Sequence, residues 1–271
     1  LVFEHFIEQL FHNDPMGRSV LGTRESLAKI SSPKMRKYRD RHFAGSRVVV
    51  SAAGNVNHDR LVNLIAKRFE NVKDAVSTRP ELEKKNSAPL RQDLKTSTQQ
   101  AHIVIGCRSV HYSHKDKYVM LVLNTLLGGG MSSRLFQRVR EKNGLAYSVF
   151  SFLETYGDTG IFGVYAGTDP DKSEKALNLI KREIRELSKH EVSDRELRRT
   201  KDQLKGNLLM GLESPSARMN RLAKMEIYTH DWMPIDEVVN RIDAVTTADI
   251  RRLATQTFID KSLYTTLLLP N

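Results

Sequence analysis

Apolar residues recur at helical spacing from the first turn of the chain: Val2, Phe3, Phe6, Ile7, Leu10 and Phe11 share one face across residues 1–13. A short helical piece is expected at 26–30. A second helix starts with Ser32 as its cap and Pro33 at its first position, and runs to about His42. The run RVVVSAA at 47–53 reads as a buried strand, and Gly54 turns the chain. Asn57 caps the next amphipathic helix, marked by Leu61, Leu64, Ile65 and Phe69. Periodicity is lost over 71–94, where Lys, Glu, Ser and Pro accumulate, so a linker is expected there. The pattern resumes with a strand over 96–110 and a helix over 118–127. A helix carrying Leu135, Phe136 and Val139 follows, and then two strands at 147–155 and 159–166, joined in a hairpin at Tyr156-Gly157-Asp158. Asp169-Pro170 opens a long helix with Leu177, Ile180, Ile184 and Leu187. Ser193 to Glu196 reads as a capping box for the next helix, and Ser214-Pro215 starts a third with Met219, Leu222 and Met225 inward. Thr246-Thr247 begins the last helix and 263–269 the last strand.

Two stretches align without gaps at an offset of 215: 30–48 and 245–263 each read as cap, helix, Phe, short turn and strand. The repeat points to two related α/β units. With 271 residues, the chain suits one and a half or two domains. The expected division is 1–78, a linker at 79–94, and 95–271.

Composition narrows the function classes. Hydrophobic residues at 39% and charged residues at 28% describe a soluble globular balance, and no apolar run reaches the eighteen residues that span a membrane. Cys107 is the only cysteine, so no intrachain disulfide forms; its apolar surroundings suit a small core residue rather than a nucleophile. A reducing compartment fits this, and so does a bacterial periplasm. The net charge of +11 raises the question of nucleic acid. The basic residues are interleaved with acids, as in Lys181, Arg182, Glu183, Arg185 and Glu186, with no accompanying aromatic motif, so solvated helix faces are expected and no nucleic-acid partner. His5-Phe6-Ile7-Glu8-Gln9 imitates an H-x-x-E-H zinc motif, but Gln9 stands where the second ligand belongs. His111 and His114 lack a third ligand at convincing spacing and read as a surface turn.

The most informative stretch is 126–150, LLGGGMSSRLFQRVREKNGLAYSVF. Gly128, Gly129 and Gly130 break one helix. Asn143-Gly144 ends the next, because glycine accepts the left-handed conformation just beyond a helix C-terminus. Arg140 therefore falls in a last helical turn and Tyr147 at the start of a strand. By spacing alone the glycines are a turn and Arg140 a solvated cation favoured by the helix dipole. The continuous stretch resembles the second-domain signature of the pitrilysin/insulinase-type zinc metallopeptidases, particularly the mitochondrial-processing-peptidase-like branch.

The resemblance implies an α+β fold of duplicated two-layer α/β domains with mixed, mainly antiparallel sheets, the first domain being incomplete here. It implies that Arg140 and Tyr147 hold a peptide substrate at the scissile bond inside an enclosed chamber, with Gly128–Gly130 as a substrate-binding loop. A guanidinium and a phenol suit a peptide carbonyl and the oxyanion formed from it. Residues 12–22 resemble the loop that follows the family's third zinc ligand. The chain is thus expected to be a C-terminal fragment of a zinc endopeptidase, inactive alone, with zinc in the intact parent and no metal ligand here. The alternative is a non-catalytic partner subunit of a heteromeric peptidase of the same family. Expected partners are peptides and a homo- or heterodimer mate, with no membrane. The expected location is a bacterial cytoplasm or periplasm, with the mitochondrial matrix as the alternative.

Overall fold

The computed structural model describes residues 1–72, 74, 88 and 90–271. They form two compact units. The first comprises residues 1–18, 83–207 and 234–271; the second comprises 19–82 and 208–233. These boundaries interleave along the chain and so differ from the linear division expected.

The first unit is built on a five-stranded mixed sheet. Its strands are β1 (Arg91–Thr96), β2 (Ala101–Ser109), β3 (Ser148–Thr155), β4 (Gly160–Thr168) and β5 (Tyr264–Pro270), in the order β1-β5-β2-β4-β3. Only β1 and β5 are parallel; the other neighbours are antiparallel. This is the mixed, mainly antiparallel α+β architecture expected. Odd-numbered residues of β2 and β3, such as Ile103, Ile105, Cys107 and Val149, share a face with Val164 and Ala166 across the ladder. On that side pack α5 (Lys117–Gly128), α6 (Ser173–Lys189) and α10 (Thr247–Thr257). Met120, Leu123, Leu127, Leu177, Ile180 and Leu253 fill the layer, and Phe162 meets Phe258 with ring centroids 5.0 Å apart.

The opposite face is covered by α1 (Val2–Leu10). Phe3 lies 5.3 Å from the Phe152 ring and stacks on Tyr165 at 5.4 Å. Gln9, the residue that spoils the apparent zinc motif, is buried here. Its amide nitrogen donates to Thr265 O at 3.4 Å, and its carbonyl oxygen accepts the Thr266 hydroxyl at 2.7 Å. His5 Nδ1 lies 3.7 Å from a Glu8 carboxylate oxygen one turn further along the helix. The apolar stripe of α1 thus finds its partner in the sheet of the first unit.

The expected linker at 79–94 is corrected at its end, since Arg91–Thr96 is strand β1. The rest of that linker lies almost wholly outside the described residues. A further helix, α9 (Ile235–Asp243), closes the unit before α10. Among the described residues no helix is long and apolar enough to cross a membrane.

The second unit contains α2 (Arg24–Ala28), α3 (Ser32–His42), α4 (His58–Phe69) and α8 (Pro215–Thr229). Helix α7 (Asp194–Gly211) begins in the first unit, and its last turn belongs to the second. Asn57 caps α4 as expected, accepting Arg60 N at 3.0 Å. The cap of α3 is Ser31 rather than Ser32.

The strand expected at 47–53 is corrected. Residues 48–53 pair with no strand among the described residues, and Val48, Val49 and Val50 are exposed. Ser51 Oγ donates instead to Met219 O on α8 at 2.8 Å. Beside it lies an apolar hollow of about 460 Å³ lined in part by Val50, Leu61, Ile65, Leu222 and Trp232.

The internal repeat is real at the level of the backbone. Ser32–His42 and Thr247–Thr257 are both eleven-residue helices. Their C-caps, Phe43 (φ −97°, ψ 55°) and Phe258 (φ −94°, ψ 59°), have the same conformation, and a one-turn 3-10 helix follows each. The copies differ in what receives them. Phe258 is buried and leads into paired β5, whereas Phe43 is exposed and leads into the unpaired segment.

Candidate functional site

The segment after α5 packs closely. A Cβ on Gly128 would lie 2.2 Å from the backbone nitrogen of Ser151 in β3, and one on Gly130 would lie 2.5 Å from the Gln203 amide. Glycine at 128 is what lets the end of α5 approach the sheet. Gln203 of α7 donates to Gly129 O and accepts the Ser132 hydroxyl, which fixes the glycine loop to that helix. The tip of the loop, Met131, is exposed.

The helix that carries Arg140 is a π-helix, Phe136–Lys142, with one residue more per hydrogen-bonded turn than an α-helix. Two ion pairs anchor it. Arg134, just before it, makes a two-pronged bond to Glu196 at 2.7 and 2.8 Å. Arg138 Nη1 reaches both carboxylate oxygens of Glu183, at 2.9 and 2.6 Å, and the Glu183 side chain is completely buried. Ser193 caps α7 as expected by accepting Glu196 N, while the Glu196 side chain serves Arg134 instead of completing the capping box. The π-helix closes with Gly144 N on Arg140 O and Leu145 N on Val139 O, and Gly144 has the left-handed φ of +56° foreseen for it.

Arg140 lies in the last turn of this helix and Tyr147 immediately before β3, as the spacing indicated. Both are half exposed. The Arg140 guanidinium sits 4.9 Å from the Phe136 ring centroid and 3.9 Å from Glu141. The Tyr147 phenol donates to Asp169 Oδ1 at 2.6 Å, and Lys172 approaches the other oxygen of that carboxylate at 3.2 Å. No hydrogen bond joins Arg140 to Tyr147 among the described residues. The bond to Asp169 pushes the phenol above its ordinary value. The same bond, with help from Lys172, holds the Asp169 carboxyl below the ordinary carboxylate range. Asp169 was not legible as a site residue: Asp169-Pro170 reads as a helix opener, and Asp169 reaches Tyr147 only because β4 returns beside β3.

The His111–His114 pair meets edge to face at 5.3 Å, with His114 Nδ1 accepting Asp116 N. Among the described residues no three His, Cys, Asp or Glu side chains are grouped to hold a metal ion.

The chain is thus an α+β protein with a mixed, mainly antiparallel sheet and a glycine turn packed closely against it. The family description "Peptidase M16 inactive domain" matches residues 29–204, and the chain belongs to that family. It is 36% identical over 260 residues to a protein of Streptomyces coelicolor named an uncharacterized zinc protease, covering 93% of this chain and 57% of that protein. A protease from Helicobacter pylori has a similar fold, with TM-score 0.88, 22% identity, and coverage of 99% of this chain and 66% of the other. So does a chain in complex III2 of Candida albicans, with TM-score 0.86, 21% identity, and coverage of 99% and 66%. The chain thus spans between about half and two thirds of these proteins.

Proposed function

We propose that this chain is the substrate-holding part of a zinc-dependent endopeptidase. Arg140 binds and orients the carbonyl of a peptide, and Tyr147 stabilises the tetrahedral intermediate formed from it. The observation that carries the reading is the placement of an exposed guanidinium and an exposed phenol at the two ends of one glycine-closed turn, on anchored elements. A turn fixed to its surroundings, carrying a guanidinium and a phenol at the surface, can meet a developing oxyanion with little movement of either side chain's frame. In this reading Gly128–Gly130 shape the rim of the site. The zinc in the names of relatives belongs, in this reading, to another part of the assembly.

The test is turnover of a quenched fluorescent peptide by the longer polypeptide that includes this chain. Arg140→Ala and Tyr147→Phe are each expected to reduce kcat/KM by roughly a hundredfold, as the loss of one oxyanion donor does, with zinc content unchanged. Wild-type turnover in both variants removes the assignment. The partner-subunit reading draws on the similar chain in complex III2. It requires that both substitutions act only when a second, zinc-binding subunit is present.

A further inference from the structure

One short segment, residues 167–172, holds the whole turn that carries the site. Gly167 O accepts Tyr147 N at 2.9 Å, and the Thr168 hydroxyl donates to Leu145 O. Lys172 Nζ reaches Gly144 O at 3.5 Å, and Asp169 accepts the Tyr147 phenol at 2.6 Å. Three of these contacts grip the backbone and would exist in any well-packed turn. The fourth grips the working end of a side chain, at the surface, where a tyrosine would otherwise sample several rotamers.

We propose that Asp169 is the positioning residue of this site, holding the Tyr147 phenol in place for a peptide, with Lys172 as the countercharge that completes the device. The inference rests on the peptide-holding reading of Arg140 and Tyr147. At rest the single phenol proton points at Asp169. Turning the hydroxyl about its C–O bond redirects that proton to a developing oxyanion without moving the ring. The carboxylate left behind keeps Lys172, 3.2 Å away, as its partner. Asp169 is the charged group bonded to the phenol, with Lys172 against its other oxygen, and the raised affinity of the phenol for its proton agrees with a carboxylate at that distance. Fixing the ring beforehand removes an ordering cost that would otherwise fall on substrate binding, an effect of roughly three- to tenfold.

Two readouts test this. On this chain, the phenolate absorbance of wild type minus that of Tyr147→Phe isolates the titration of Tyr147. Asp169→Ala is expected to move that titration to lower pH. Lys172→Met, which leaves the carboxylate uncompensated, moves it to higher pH. Opposite signs are not expected from general loosening of the turn; coincident curves for wild type and Asp169→Ala overturn the proposal.

In the longer polypeptide, Asp169→Ala is expected to lower peptide turnover three- to tenfold, with Asp169→Asn recovering part of the loss because it keeps an acceptor. If Tyr147→Phe slows turnover and Asp169→Ala does not, the positioning role falls alone. If Asp169→Ala raises turnover, the bond is a restraint to be broken and the proposal is overturned. If Tyr147→Phe itself has no effect, the peptide-holding reading falls and this inference with it.

Discussion

Removing Arg138 should destabilise the first unit out of proportion to its half-exposed position. Its partner Glu183 is wholly buried and takes both of its side-chain bonds from one Arg138 nitrogen. Arg138→Ala removes the one cation bonded to that buried carboxylate and leaves it only the through-space attraction of Arg134, which is itself bonded to Glu196. Breaking a fully buried pair costs about 3–5 kcal/mol. Arg138 is 47% exposed, so solvent screens part of the attraction, and about 2 kcal/mol is the reasoned figure. In a unit of this size each kcal/mol moves the thermal midpoint by about 2–4 °C, so a fall of about 4–8 °C is expected. Circular dichroism melting, checked by urea titration, measures it. The double variant Arg138→Met, Glu183→Met removes both charges and keeps apolar volume, and should return to within about 1 kcal/mol of wild type. A melting point for Arg138→Ala within the error of wild type would refute the reasoning. So would a double variant whose loss is the sum of the two single losses.

Gly128→Ala and Gly144→Ala should both destabilise, for different reasons that melting and crystallography can separate. At 128 the new methyl meets strand backbone 2.2 Å away, and overpacking costs about 1–3 kcal/mol with displacement of α5 from β3. At 144 there is open space, and the cost of about 1–2 kcal/mol is that of a left-handed φ alone. The Asp116–Arg252 pair, bonded at 2.7 Å, should make stability fall with acid. The hydrogen bond from Arg252 depresses the folded-state value of Asp116. Its contribution is therefore full above the unfolded Asp value of about 4 and is lost as pH falls through the depressed value. The difference in melting temperature between wild type and Asp116→Asn should accordingly shrink from pH 6 to pH 3, and a constant difference would contradict it.

What could be read from the sequence was local. The cap at Asn57, the helix start at Thr246-Thr247, the left-handed Gly144 and the hairpin at 156–158 depend on a few neighbouring residues, and each appears where expected. Helix α9 was legible but passed over: Ile235, Val238, Val239 and Ile242 repeat at helical spacing. Strand β1 was not legible, because Arg91–Thr96 has one apolar residue and is defined by parallel pairing with residues more than 170 positions away. The same non-locality explains the misread strand at 47–53. Its valines record suitability for a sheet, while a ladder needs a partner. Arg140 and Tyr147 were singled out by the resemblance of the continuous 126–150 stretch, since their spacing alone reads as a turn and a solvated cation. Asp169, and the π-turn that sets the direction of Arg140, depend on packing that no local spacing encodes.

Cys107 lies in β2, the central strand of the sheet, buried, with its thiol pushed up to about 12 by loss of solvent. As the only cysteine of the chain, it makes the protein its own reporter. A thiol reagent in native buffer can modify it only in molecules whose central strand has opened, so the labelling rate counts excursions of the sheet rather than surface reactivity. Every variant above that loosens the first unit should therefore label faster, at one known position, without any engineered probe.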